Sequence, residues 1–256
     1  MAETPTPPPL SPALSPAGPV SPFQRFTLAL GVSRRAFATP FHTPDWLIPL
    51  LIVLAVQIAS GFAVHDLIVQ KTMSQQEQVR AKIEEDPRMS AEQKEEAIER
   101  MESMSGGTMV TVGILAGGPL TLAIGTLAIA VLLHLIVNFG LGGQIRFAQT
   151  WLVAVLGWAP KAVESVLFTL LARLRGTVDI SFGPAALIAD LNSMAHRLLG
   201  VFDLFSIWVI AVQTVGLMGV AALAKNKALT AVLLLWILWW VVRIVLAVAF
   251  RNTPGM

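Results

Sequence analysis

Residues 201–250 read VFDLFSIWVIAVQTVGLMGVAALAKNKALTAVLLLWILWWVVRIVLAVAF, two apolar runs joined by a Lys225-Asn226-Lys227 turn. From Leu204 to Ala224 no side chain is charged, and from Ala228 to Phe250 only Arg243 is. At about 1.5 Å of rise per helical residue each run covers ~30 Å, the thickness of bilayer hydrocarbon. The stretch therefore reads as a transmembrane helical hairpin, and the remainder of the chain has to be placed around it.

Composition agrees with that start. Hydrophobic residues make up 55% of the 256 and charged ones only 13%, with a mean hydropathy of +0.69, so lipid rather than water is the expected solvent. The net charge of +2 is too small and scattered to attract nucleic acid, which is excluded as a partner. With no cysteine, disulfides, thiolate nucleophiles and thiolate-ligated metals are excluded too.

Taken in order, residues 1–22 carry eight prolines among Ser, Thr and Ala. Such a segment cannot bury enough apolar surface to offset its ordering entropy, and is expected to be a disordered tail rather than a signal peptide. Residues 23–39 place Phe23, Phe26, Leu30 and Phe37 at helical spacing between Pro22 and Pro40, with Arg25 and Arg35 off the apolar stripe. This is expected to be an amphipathic interfacial helix, with its aromatic face in the headgroup region and its arginines meeting anionic lipid, packing on a face of the bundle being the alternative.

The spans are expected at about 46–64, 119–139, 147–171, 204–224 and 228–250. Residues 65–118, between the first two, form a charged insert and its interfacial lead-in. Over 66–102 the insert holds six basic and ten acidic residues. Asp86-Pro87 divides it, and Ser90 with Gln93 supplies a capping box for its second helix. Val79 and Ile83 can meet Ile98 and Met101 along an antiparallel seam. Gly117-Gly118-Pro119 marks the start of the second span, with residues 106–117 read as an interfacial or re-entrant approach. Pro160, after Gly157 and Trp158, predicts a kink in the third span.

Charge inside a span is the best functional pointer such a sequence offers. Counting helical rise places Glu164 and Arg243 at similar depth, with Lys161 one turn from Glu164 and Asp203 at the end of the fourth span. A polar cluster of Lys161, Glu164, Asp203 and Arg243 is expected beside the Pro160 kink. Two readings fit it: compensated ion pairs that fix how the spans dock, or a relay or substrate site of a small-solute, ion or lipid transporter. His134 and Asn138 are expected to hydrogen-bond a neighbouring helix rather than to bind metal. No GxSxG, HExxH, P-loop or dinucleotide fingerprint is present, so neither an enzyme nor a cofactor is expected.

Trp46-x-x-Pro49, Gly140-Leu-Gly-Gly143, Trp158-Ala-Pro160, and above all Asp203-Leu-Phe205-Ser-Ile-Trp208 with Gly216 and Lys225-Asn-Lys-Ala228, resemble bacterial members of the Ypt-interacting (Yip) domain family. The resemblance implies five spans in a bacterial cytoplasmic membrane, an N-terminus in the cytoplasm and a C-terminus on the opposite side, although Lys/Arg counting does not itself favour that orientation. Eukaryotic relatives associate with Rab-type GTPases through membrane traffic. Their Asp-Leu-Tyr-Gly-Pro motif has no counterpart here, since the chain contains no tyrosine. The expected fold is all-α, a polytopic bundle of five transmembrane helices with an extramembrane helical hairpin insert. Its expected role is a non-enzymatic organiser of membrane proteins or lipids. The partners expected are the bilayer, a membrane or peripheral protein docking on residues 66–102, and a second copy of the chain.

Overall fold

A computed structural model describes residues 19–37, 40–103, 107–188, 190, 193–200 and 202–249, apart from the side chains at 102, 103, 197, 243 and 246–249. The proline-rich residues 1–18 and the Arg243 side chain therefore lie outside the described residues. Among those described, every regular element is helical.

Ser21 and Gln24 cap α1 (Pro22–Leu30) reciprocally, and a 3-10 turn at Arg34–Phe37 follows. This N-terminal unit packs on the bundle. Phe26, Ala29, Ala36 and Phe37 are all buried, while Phe23 stays 62% exposed. Arg25, expected to face the headgroups, is instead 2% exposed. Its guanidinium donates to the carbonyls of Ala36 (2.8 Å) and Pro40 (3.1 Å) and lies 3.4 Å from Asp45. A buried guanidinium is tolerable only when several acceptors replace water, and the turn after α1 curls round to provide them.

Among the described residues, four helical runs are long and apolar enough to cross a membrane: Thr43–Ala63, Gly107–Gly140, Phe147–Arg175 and Lys225–Val242, with Leu204–Val220 a shorter apolar fifth. The first is α2 (Thr43–Ala63). A single non-helical residue, Val64, separates it from α3 (His65–Glu85), which pairs with α4 (Ala91–Ser103) as the expected hairpin. The Ser90–Gln93 capping box is formed, and Lys94 ties the two helices by donating to the Glu84 carbonyl at 2.6 Å.

The second run departs from expectation. Gly117-Gly118-Pro119 does not break it, because α5 (Gly107–Val112) passes through a π turn at Gly113–Gly117 straight into α6 (Gly118–Leu135). Gly118 N–H reaches back five residues to the Gly113 carbonyl. That wide turn absorbs the irregularity forced by Pro119, which has no N–H to donate, so the helix continues instead of restarting. A second π turn, Ile136–Gly140, ends the run.

The third run does break. α7 (Phe147–Gly157) stops at Trp158, and α8 (Ala159–Arg175) begins with Pro160 in its first turn. A short α9 (Met194–Leu199) precedes α10 (Leu204–Val220), which is followed by α11 (Lys225–Ala249). Lys225-Asn226-Lys227, expected as the turn, forms the start of α11. The reversal falls at residues 221–224, where Ala222 takes φ +48. Gln149 donates to the Val220 carbonyl at 3.1 Å and thereby satisfies one open acceptor at the end of α10.

Lipid tails are as apolar as leucine, so the spans associate through close packing and a few buried polar contacts. α7 is the centre, with all of Leu152–Leu156 buried between α2, α6 and α10. Gly216 of α10 makes room for this: a Cβ there would come within 2.9–3.0 Å of Phe37 and Val153. Deeper in the bundle, Trp236 of α11 donates to the Gln213 side chain at 3.0 Å.

Candidate functional site

Three of the four residues expected in the polar cluster come together. Lys161 and Glu164 stand one turn apart on α8, with Nζ 2.5 Å from Glu164 Oε2. The same ammonium lies 3.2 and 3.3 Å from the two oxygens of Asp203. Asp203 is held by a second job: it caps α10, accepting from Ser206 N–H at 2.7 Å and from the Ser206 hydroxyl at 2.5 Å. The three charged side chains are 18–23% exposed. The helix bearing Arg243, the fourth expected member, is α11.

The other residues of the quoted motif act through packing. Trp208 Nε1 donates to the Leu30 carbonyl at 3.1 Å, pinning the end of α1 to α10. Phe205 meets Phe182 edge-on, with centroids 5.2 Å apart. Instead of a neighbouring helix, Asn138 bonds the backbone of Ile145, in the loop before α7, with both its amide N and its O, and its amide lies 3.2 Å from the His134 ring. No group of three or more His, Cys, Asp or Glu among the described residues is placed to hold a metal.

Beside the cluster runs a groove of about 740 Å³, walled by α2, the first π turn with the start of α6, and α8. Its polar lining includes Gln57, Ser60, Trp158, Lys161, Glu164 and Ser165. The Trp158 indole N–H is buried and has no hydrogen-bond partner among the described residues. Trp158 stands at the break between α7 and α8, which Pro160 alone hints at in the sequence.

A second constellation escaped sequence reasoning because its members are over a hundred residues apart. At the base of α3, Arg173 donates to the Ala63 carbonyl at 2.5 Å and pairs with Asp66 at 2.8 Å. Lys71 pairs with Asp179 one turn further out. The Arg173 hydrogen bond holds the Asp66 carboxyl below its ordinary range, against the smaller opposing effect of desolvation. Together these contacts fasten a charged helix to the end of a span while leaving no residue of α3 buried.

A family model described as the Yip1 domain matches residues 32–247. No curated protein and no solved structure matches the chain. The matched segment runs from the 3-10 turn under Gly216 through every apolar helix, and on that coverage the chain is a multi-pass membrane protein that belongs to the Yip1 domain family.

Proposed function

We propose that this protein is a non-enzymatic membrane organiser, which holds the α3–α4 hairpin at the bilayer surface as a docking arm for another membrane-associated protein. The observation that carries the reading is the way α3 is mounted. One residue separates it from α2, two ion pairs fix its base, and its whole length stays accessible. A mere spacer between spans needs no such anchoring. On α4, Glu92, Glu95 and Glu99 are exposed at i, i+3 and i+7 spacing, which gives the arm an acidic stripe suited to a basic partner surface.

In this reading the Lys161–Glu164–Asp203 cluster is a lock between α8 and the start of α10, since each of its charges lies within 3.3 Å of an opposite one. The setting proposed is a bacterial cytoplasmic membrane with the N-terminus on the cytoplasmic side.

Crosslinking in native membranes followed by copurification tests the arm, comparing the full chain with a deletion of residues 71–101 and with the triple variant Glu92→Lys, Glu95→Lys, Glu99→Lys. A near-stoichiometric protein captured by the full chain and lost from both variants is the expected result. Equal capture by all three, or recovery of lipid and self-contacts alone, overturns the reading.

A further inference from the structure

We infer that the groove between α2, the first π turn and α8 is a binding site for one bilayer phospholipid with a primary-ammonium, zwitterionic headgroup. Three observations converge on it. Its walls belong mostly to three of the membrane-crossing runs, with Val64 and Ile68 at the foot of α3 closing one end, so its natural occupant is an amphiphile of the bilayer rather than a soluble metabolite. Apolar residues, among them Val110, Ile114, Leu122 and Phe168, line it together with the polar group around Trp158 and Glu164, as an acyl chain and a headgroup require.

Depth gives the second argument. Arg146 precedes Phe147 at one membrane surface, and Glu164 lies 17 residues further along the run. At ~1.5 Å per residue that is about 25 Å, close to the far edge of a ~30 Å hydrocarbon core, where headgroups begin.

Charge and hydrogen bonding give the third. Lys161 and Glu164 line the groove with one positive and one negative group, and Asp203 backs Lys161 from the start of α10. A zwitterion in the opposite sense complements this set, its ammonium turned to Glu164 and its phosphate to Lys161. The unpartnered Trp158 N–H supplies a donor for a phosphate or ester oxygen. A quaternary headgroup offers Glu164 no N–H, and a headgroup that is only anionic brings Glu164 no cation.

The groove is walled apart from the acidic stripe of α4, so loss of lipid selectivity and loss of a protein partner are separate outcomes. Native mass spectrometry of the full chain, titrated with phosphatidylethanolamine, phosphatidylcholine and phosphatidylglycerol of matched acyl chains, makes the test. Wild type is expected to retain one phosphatidylethanolamine in preference to the other two. Glu164→Gln should weaken that lipid about tenfold and erase its advantage over phosphatidylglycerol, and Trp158→Phe should weaken all three alike.

Gly117→Leu guards against misfolding. Gly117 lines the groove with ordinary helical dihedrals, φ -63 and ψ -49, and a Cβ there meets nothing within 4 Å, so the added side chain fills the groove without straining the helix. It should abolish the retained lipid while leaving the elution profile and helicity unchanged. Equal retention of the three lipids by wild type, or retention in folded Gly117→Leu equal to wild type, overturns the assignment.

Discussion

Lys161 answers two carboxylates at once, Glu164 from its own helix and Asp203 from the next span. An ion pair in so dry a place adds little net stability, but stripping out one member leaves the others without compensation. Lys161→Met is therefore expected to cost about 2–4 kcal/mol. Adding Glu164→Gln and Asp203→Asn to it should recover most of that loss, because asparagine still caps α10 as aspartate does. Thermal denaturation in nanodiscs reads both. A triple variant no more stable than Lys161→Met alone would mean that the cluster is not a lock. Spacing along a helix made Lys161 and Glu164 legible as neighbours. Their junction with Asp203 was legible because charge in a span must find charge. The Arg25–Asp45 pair was not, since it depends on the chain curling back after α1, and no local pattern encodes that turn.

At the scale of elements, α3 stands on a titratable foot. Because the folded Asp66 carboxyl is held below its ordinary value by Arg173, its contribution is fully present above about pH 4 and is lost as pH falls through the lowered value. Protection factors of the amides in the first turns of α3, which compare their exchange with that of the unstructured chain at the same pH, should accordingly fall on acidification below about pH 4. Asp66→Asn should show the lower protection at neutral pH and little further change on acidification. No acid-dependent difference between the two would remove the pair from the anchoring. Helix number and the hairpin were readable in advance from apolar length and from the capping pair at Ser90 and Gln93. The uninterrupted run from Gly107 to Gly140 was not. Gly-Gly-Pro ordinarily ends a helix, and only a wide turn with its five-residue bond lets the backbone carry on.

The molecule as a whole has helices of unequal reach. Gly107–Gly140 spans 34 residues and Leu204–Val220 only 17, or about 51 Å against about 25 Å at 1.5 Å per residue. The side on which α10 sits cannot fill a 30 Å core by itself. A bilayer that thins there, or a long helix that tilts, removes the mismatch at a fraction of a kcal/mol per Å. Melting temperature should thus peak in nanodiscs of short-chain lipids and fall as the acyl chains lengthen from 14 to 20 carbons. A melting temperature independent of chain length would show that residues flanking α10 complete the span. Unequal reach could not be read from composition, because the apolar run from 204 to 224 continues past the point where Ala222 turns the chain.

The hydrogen bond from Trp208 to the Leu30 carbonyl also sets an order of manufacture. Its two ends are 178 residues apart, so at ~5–20 residues synthesised per second roughly 10–35 s separate their emergence from the ribosome. During that interval the amphipathic helix has no tryptophan to receive it, and Phe37 has no glycine face to lie against. A segment made long before α10 is among the last to be seated, and a ribosome stalled before the fourth span would leave that segment free for whatever membrane or chaperone surface reaches it first.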